Sequence, residues 1–349
     1  FIPAYLITTG FSFYEVILFE VIKWLSAMLL GPLSARINAK IGVKHTILLR
    51  SPLFISFLAI VMNIDALPGR FYPAAVMFGV SASLYWTSIT TEYVRVSDKK
   101  MEGEEAGLLF GIPHISAVIG PVAGALVLTL LGFNVLFILA VMLVFASIVP
   151  LFLSSDYKSE GFSIKGLNLL LDRRRMTYYF AEGTIFMADL TFWGLYVFLS
   201  YGFISLGIAA SLMGLGMLIF TLLVGRISNT IRGRRSVTRA AGFFCAVLWI
   251  MRALATSELE FMVLSLLGGF VITSFTVSIF ADFARFAKEN GPAQERGVQA
   301  LLDEHRKDCP CNPASSGLAW YWGYSVPAGN IHSGCPGIPD SGNIQGIAY

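Results

Sequence analysis

The chain returns repeatedly to uninterrupted apolar runs about twenty residues long, and those runs decide what it can fold into. They cover residues 14–34, 46–64, 71–93, 107–131, 133–153, 176–200, 205–224, 237–255 and 260–283. A helix needs roughly 20 apolar residues to cross the hydrocarbon core of a bilayer. In lipid, only helices and closed barrels satisfy their own backbone, and barrel strands are about 10 residues long and alternate in polarity. Runs this long and continuous are therefore helices, and the fold class is an all-α polytopic membrane protein. Residues 1–13, FIPAYLITTGFSF, read as the end of a further span, so the first helix is expected to be truncated.

Composition excludes the alternatives. Hydrophobic residues make up 56% of the chain and charged residues 13%, against about a quarter charged in soluble domains. A formal net charge of +3 argues neither for nor against nucleic acid, which is not among the expected partners. No basic segment, apolar core and small-residue cleavage site open the chain as a signal peptide would. Three of the four cysteines, Cys309, Cys311 and Cys335, fall near the end, so no disulfide framework is expected. No cofactor is implied.

The basic residues alternate from loop to loop. One set collects Arg36, Lys40, Lys44 and His45; then Arg95, Lys99 and Lys100; then Lys158, Lys165 and Arg173–Arg175; then Arg226, Arg232, Arg234 and Arg235; then Arg285 and Lys288. The intervening loops hold almost none. By the positive-inside rule the basic set is cytoplasmic, which predicts an integral protein of the cytoplasmic (inner) membrane. One basic loop, 154–175, is longer and half polar, and its apolar residues suit an interfacial helix. It divides the chain into an N-terminal membrane half (1–153), a linker (154–175) and a C-terminal half of four helices (176–296).

Two stretches, GPLSARINAKIGVKH from Gly31 and GRISNTIRGRRS from Gly225, each follow the second helix of a half. Their recurrence points to an internal duplication, as in transporters built from parallel six-helix repeats. Residues 297–349 depart from the rest. They are rich in Gly, Pro, Ser and Cys and lack apolar periodicity, and we expect either a disordered segment or a slipped reading frame. Cys309, Cys311, His305, His332 and Cys335 have no standard metal-ligand spacing, so no metal site is expected.

With these stretches in hand, the chain resembles the major facilitator superfamily of secondary transporters. That family's loop after the second helix of each half reads Gly-x-x-x-Asp-Arg-x-Gly-Arg-Arg. Gly31, Arg36, Gly42 and Lys44 follow it in the first copy, and Gly225, Asn229, Gly233, Arg234 and Arg235 in the second. Ala35 and Asn229 stand where the family has Asp, and the second glycine is displaced in both copies. In helix five, GIPHISAVIGPVAGA places Gly111, Gly120, Pro121 and Gly124 on a glycine-proline motif most typical of the family's antiporters. Those glycines would equally serve close helix packing. The resemblance implies two six-helix halves (the second incomplete here) around a central cavity that opens alternately to each side.

Intramembrane charges mark functional candidates. Glu20 and Lys23, three apart, can pair on one helical face. Glu182 and Asp189 lie seven apart, two turns along one face, with no Lys or Arg near them in their own helix. A carboxylate that is charged or neutral as water access changes is what a proton carrier needs, and Asp189 is the first choice. His114 beside Pro113 titrates in the physiological range when unperturbed. Arg252 near a helix end is expected to snorkel to the interface. Tyr85, Trp86, Phe192 and Trp193 are candidate cavity aromatics for an apolar or cationic ligand.

The resulting expectation is a secondary active transporter, monomeric and proton-coupled, exporting a small amphipathic compound. Its rivals are a transport-inactive sensor or scaffold of the same fold and a membrane-embedded lipid-modifying enzyme. Against the enzyme, the chain has no HExxH, GxSxG or aspartate-rich metal motif.

Overall fold

A computed structural model describes residues 1–64, 69, 71–96, 101–153, 156 and 173–290. The expected interfacial helix within 154–175 (apart from Asp156 and the opening of the helix at Arg173) and the expectations for 297–349 lie outside these residues. Within them the chain is helical, in the order α1 (Ile2–Thr8), α2 (Phe13–Ile41), α3 (Val43–Met62), α4 (Phe71–Val96), α5 (Glu102–Leu153), α6 (Arg173–Met187), a π-helical turn (Ala188–Trp193), α7 (Gly194–Ile227), α8 (Ile231–Leu254) and α9 (Glu258–Asn290).

Local chemistry sets several boundaries. Ser12 opens α2 with a capping box: its hydroxyl accepts from the Glu15 amide at 3.3 Å, and the Glu15 carboxylate accepts from the Ser12 amide at 2.7 Å. α5 and α7 are each two helices joined end to end. Gly132 (φ 82°) breaks the first and Gly202 (φ 84°) the second, and an L side chain at either φ would be strained. The second arm of α5 (133–153) and the second arm of α7 (203–227) are thus separate spans, and α6, the π turn and the first arm of α7 form one span.

Among the described residues six continuous helical stretches are long and apolar enough to cross a membrane, two of them 50 and 52 residues long because they contain those breaks. α4 has the length, at 26 residues, but its hydroxyls hold it below that apolarity. They face α2. Ser83 and Ser34 hydroxyls are 2.8 Å apart, and Ser88 donates to Asn38 Oδ1 at 2.9 Å. Polar residues that join helices this way are tolerated in lipid because they find partners there. Large apolar side chains stand exposed along α2, α5, α7, α8 and α9, among them Met28, Leu130, Phe152, Leu199 and Leu254, as a lipid-facing surface requires.

The two basic stretches are less loop than the sequence predicts. Gly31 lies inside α2, which runs on through Pro32, Arg36 and Lys40 to Ile41, leaving Gly42 as the single residue before α3. Gly225 lies inside α7, and Gly233, Arg234 and Arg235 belong to the first turns of α8. The intervening turn is Ser228 to Thr230, where Thr230 caps α8 by accepting from the Gly233 amide at 3.0 Å.

The duplication is visible in matched contacts 194 or 195 positions apart. The Ser34–Ser83 bond between α2 and α4 has its counterpart in Ser228 and Ser278, 3.1 Å apart, between α7 and α9. Gly79 packs against the Lys23 carbonyl, and its counterpart Thr273 bonds the Met217 carbonyl at 3.5 Å. Each half has its own apolar core, one around Phe19, Phe57 and Phe71 and the other around Trp193, Phe261 and Phe275. A third cluster at the basic end, with Tyr93, Phe110, Val224 and Val277, joins the halves.

Candidate functional site

Among the described residues the charges deep in the helices include two closed pairs, and Glu182 and Arg50 have no ion-pair partner. On α2, Lys23 Nζ lies 2.5 Å from Glu20 Oε2, and the Trp24 indole N–H donates to the same oxygen at 3.2 Å. Lys23 also stands over the Phe78 ring of α4, 4.7 Å from its centre. In the other half, Asp189 on the π turn pairs with Arg252 of α8. Both residues are almost fully buried, at 1% exposure each.

Arg252 is the correction to the sequence reading, which sends it to the interface. It lies instead between Trp193 and Trp249, 4.4 and 4.9 Å from their ring centres, and Gly268 of α9 supplies the room. The physical reason is the buried carboxylate. An isolated charge in this interior costs several kcal/mol, and the guanidinium gains both Asp189 and two ring faces by turning inward. The π turn carries Asp189 there, with Thr191 and Trp193 also buried while Leu190 and Phe192 stay exposed. π turns inside α-helices recur at functional sites.

Glu182 is different. It is half-buried on α6, its Oε1 accepts from Thr276 of α9 at 3.2 Å, and it has no cationic partner among the described residues. Phe186 follows one turn along α6, and Trp24 meets it edge to face, with ring centres 6.4 Å apart. One turn beyond Thr276, Phe280 meets Trp86 at 6.4 Å, Tyr93 at 6.2 Å and Phe110 at 4.7 Å. A belt of polar and aromatic groups thus crosses between the halves, from Glu20 and Trp24 through Phe186, Glu182, Thr276 and Phe280 to Trp86.

The other predicted aromatics fall elsewhere. Tyr85 contacts Trp86 and lies under the guanidinium of Arg50, 4.5 Å from its ring centre. Trp193 is 2% exposed, stacks on Phe261 and donates to Ser265 at 2.8 Å, so it is a core residue of the second half. Phe192 is exposed. His114 is half-buried, with no hydrogen bond among the described residues.

The glycine-proline stretch lies on a seam between α5 and the second arm of α7. Pro121 has no N–H, so the Ala117 carbonyl loses its helical donor. That carbonyl faces Gly214, where a Cβ would collide with it. The Val122 amide donates to Ser211 at 3.1 Å. Gly207 faces the Pro121 carbonyl, at 2.8 Å from where its Cβ would sit. Of the motif glycines, Gly111 touches Thr221, Gly124 touches Phe1 and Leu136, and Gly120 meets open space. The closest approaches therefore come from the α7 glycines and from Gly103.

At the basic end the seam closes on Asn229. Its Oδ1 accepts from the amides of Gly103 and Glu104, both at 3.0 Å, at the opening of α5. Gly103 and Gly225 meet backbone to backbone, and Arg226 stands 3.9 Å from Glu104. An amide oxygen here takes up unsatisfied helix N-terminal donors. In the first copy the carboxylate comes from outside the motif: Asp156 pairs with His45 and accepts from the Lys44 amide at 2.9 Å, packed on Gly42. Arg36 and Arg234 are helical, and Arg234 is buried with Nε donating to the Ser228 carbonyl at 2.6 Å.

Sequence reasoning missed Arg252 as a partner, and with it Arg50, Thr276, Trp24 and Asp156. Arg50 carried a legible signal, a charge inside an apolar run. The others depend on which helices lie side by side. No metal-binding group of His, Cys, Asp or Glu occurs among the described residues.

Comparison with curated proteins gives no match. The profile of the Major Facilitator Superfamily matches residues 1–301, which is most of the chain. With the helical fold, the membrane-length spans and the doubled architecture already in view, the chain is a membrane transporter protein of the Major Facilitator Superfamily.

Proposed function

We propose that this protein is a secondary active transporter that moves a small solute by alternating access, coupled to protons. The observation that carries the reading is the belt of charged and aromatic side chains between the halves. It lies beyond a seam that is closed at its basic end by Asn229 and the Gly103–Gly225 contact. Rocking of the halves along that seam opens the basic end and exposes the belt to the other side. The basic end faces the cytoplasm by the positive-inside rule, and the protein acts as a monomer in the cytoplasmic membrane.

Proton coupling runs through the three intramembrane carboxylates, Asp189, Glu182 and Glu20. Asp189 and Glu20 face Arg252 and Lys23, so a proton arriving at either carboxylate frees a cation. Glu182 faces Thr276. The glycine-proline stretch supports export of a small amphipathic compound.

The test is flux in proteoliposomes under an imposed pH gradient, with a panel of amphipathic solutes. Solute-dependent proton movement that is lost in Asp189→Leu with Arg252→Met, which removes the carboxylate without leaving a buried charge unpaired, supports coupled transport. Solute flux indifferent to the gradient ends the coupling proposal. A correctly folded chain with no flux for any solute favours the transport-inactive sensor.

A further inference from the structure

We propose that Glu182, with the rings of Phe186 and Trp24, anchors a binding site for a monovalent organic cation. This deepens the transport reading by naming the chemical class of its solute.

Unpaired charge singles out Glu182. Of the three carboxylates deep in the helices, Glu20 and Asp189 are already matched, to Lys23 and Arg252. Glu182 has one hydroxyl donor, Thr276, and no cation among the described residues. Arg50, a cation with no ion-pair partner among the described residues, is on α3 and is occupied by the faces of Phe54 and Tyr85, 5.1 and 4.5 Å from their centres. Among the described residues Phe54 reaches Trp24 only through Phe78, and Tyr85 adjoins the belt only through Trp86. A lone carboxylate in a low-dielectric site is costly unless paired, and Glu182 is half-buried, so an incoming group can reach it.

The shape of the site selects among cations. A metal ion such as Ca²⁺ wants six or more oxygen ligands, whereas Glu182 and Thr276 offer a single carboxylate and a hydroxyl. Beside them stand two aromatic rings. Phe186 lies one turn from Glu182 on α6, and Trp24, held by its indole N–H to Glu20, stands edge to face against it. An aromatic wall beside one negative charge suits a cation carried on an apolar body, by cation–π attraction and burial together. The Lys23 ammonium lies 5.2 Å from the Trp24 ring centre, but it is paired with Glu20, so among the described residues Glu182 is left as the carboxylate without a cation.

The experiment is displaceable binding of tetraphenylphosphonium to the purified chain, set against tetraphenylborate, which has nearly the same shape and the opposite charge. The wild-type chain should bind the phosphonium saturably and the borate not at all. Glu182→Gln should weaken phosphonium binding on the order of tenfold or more, since it removes a low-dielectric charge contact. Trp24→Leu should weaken it roughly three- to fivefold, the size of a partly exposed cation–π contact. Equal binding of both ions by the wild-type chain, or phosphonium binding unchanged in Glu182→Gln, would overturn the site. The wild-type comparison decides the matter even where a variant folds poorly. Gradient-driven flux of neutral or anionic solutes only, with no phosphonium binding, removes the cation site and leaves the transporter. Phosphonium binding without flux of any solute does the reverse.

Discussion

Asp189 and Arg252 show how one side chain can fix the energetics of a whole half. Each is buried to about 1% exposure, and each leaves the other uncompensated if removed. Breaking a buried pair from one side typically costs about 3–5 kcal/mol, whereas replacing both partners with apolar residues is often close to neutral. Asp189→Asn and Arg252→Met alone should therefore each lower the thermal unfolding midpoint of the purified protein strongly, and Asp189→Leu with Arg252→Met should restore most of it. Restored stability with lost proton coupling would separate the structural from the functional role of the pair. Asp189 is visible in sequence as a charge in an apolar run. Its partner is not, because Arg252 lies 63 positions away near the end of another helix. A charge near a helix end has an inexpensive outward solution, snorkelling. Only the neighbouring carboxylate, the Gly268 gap and the two tryptophan faces make the inward one better.

At the scale of helices, small residues and freed backbone groups decide which pairs pack closely. Gly214 sits against the Ala117 carbonyl that Pro121 leaves without a donor, so Gly214→Leu should force α5 and α7 apart. Such overpacking costs at least about 1–3 kcal/mol, read as a lower unfolding midpoint and reduced yield of folded protein. Ser211→Ala, which removes the acceptor for the Val122 amide, should cost on the order of 1 kcal/mol in the same assay. At the basic end, Asn229→Ala removes the acceptor shared by two α5 amides and should increase labelling of belt cysteines from that side. Asn229→Asp places a full negative charge at a helix N-terminus, worth about 0.3–1 kcal/mol, and should reduce that labelling and slow transport. The spans were readable from the sequence because a lipid-crossing helix must announce itself by length and apolarity. The basic stretches were harder. Their polar residues suggest loops, yet Arg36, Lys40, Arg234 and Arg235 stay helical, because long basic side chains at a helix end reach solvent without the helix having to stop.

For the molecule as a whole, the repeat was readable from two similar stretches, and the contacts at matched spacings give it physical substance. The asymmetry between the copies was not readable. Glu20 and Lys23 of the first half correspond to Gly214 and Met217 of the second, and Arg252 corresponds to Leu58, so each half carries its ion pair where the other carries none. The proposed alternating access makes a further demand. Cysteines at Glu104 and Arg226, in a cysteine-free background, should cross-link the basic end and stop flux, and reduction of the link should restore it. Flux that continues through a complete cross-link would remove the seam as a gate. The breaks at Gly132 and Gly202 bear on how such a chain is made. A one-residue turn leaves almost no polar connection to be carried across the bilayer between the spans that flank it. Each such pair can leave the ribosome and enter lipid as a preassembled hairpin, so the order of synthesis already dictates the first partners of four of the spans.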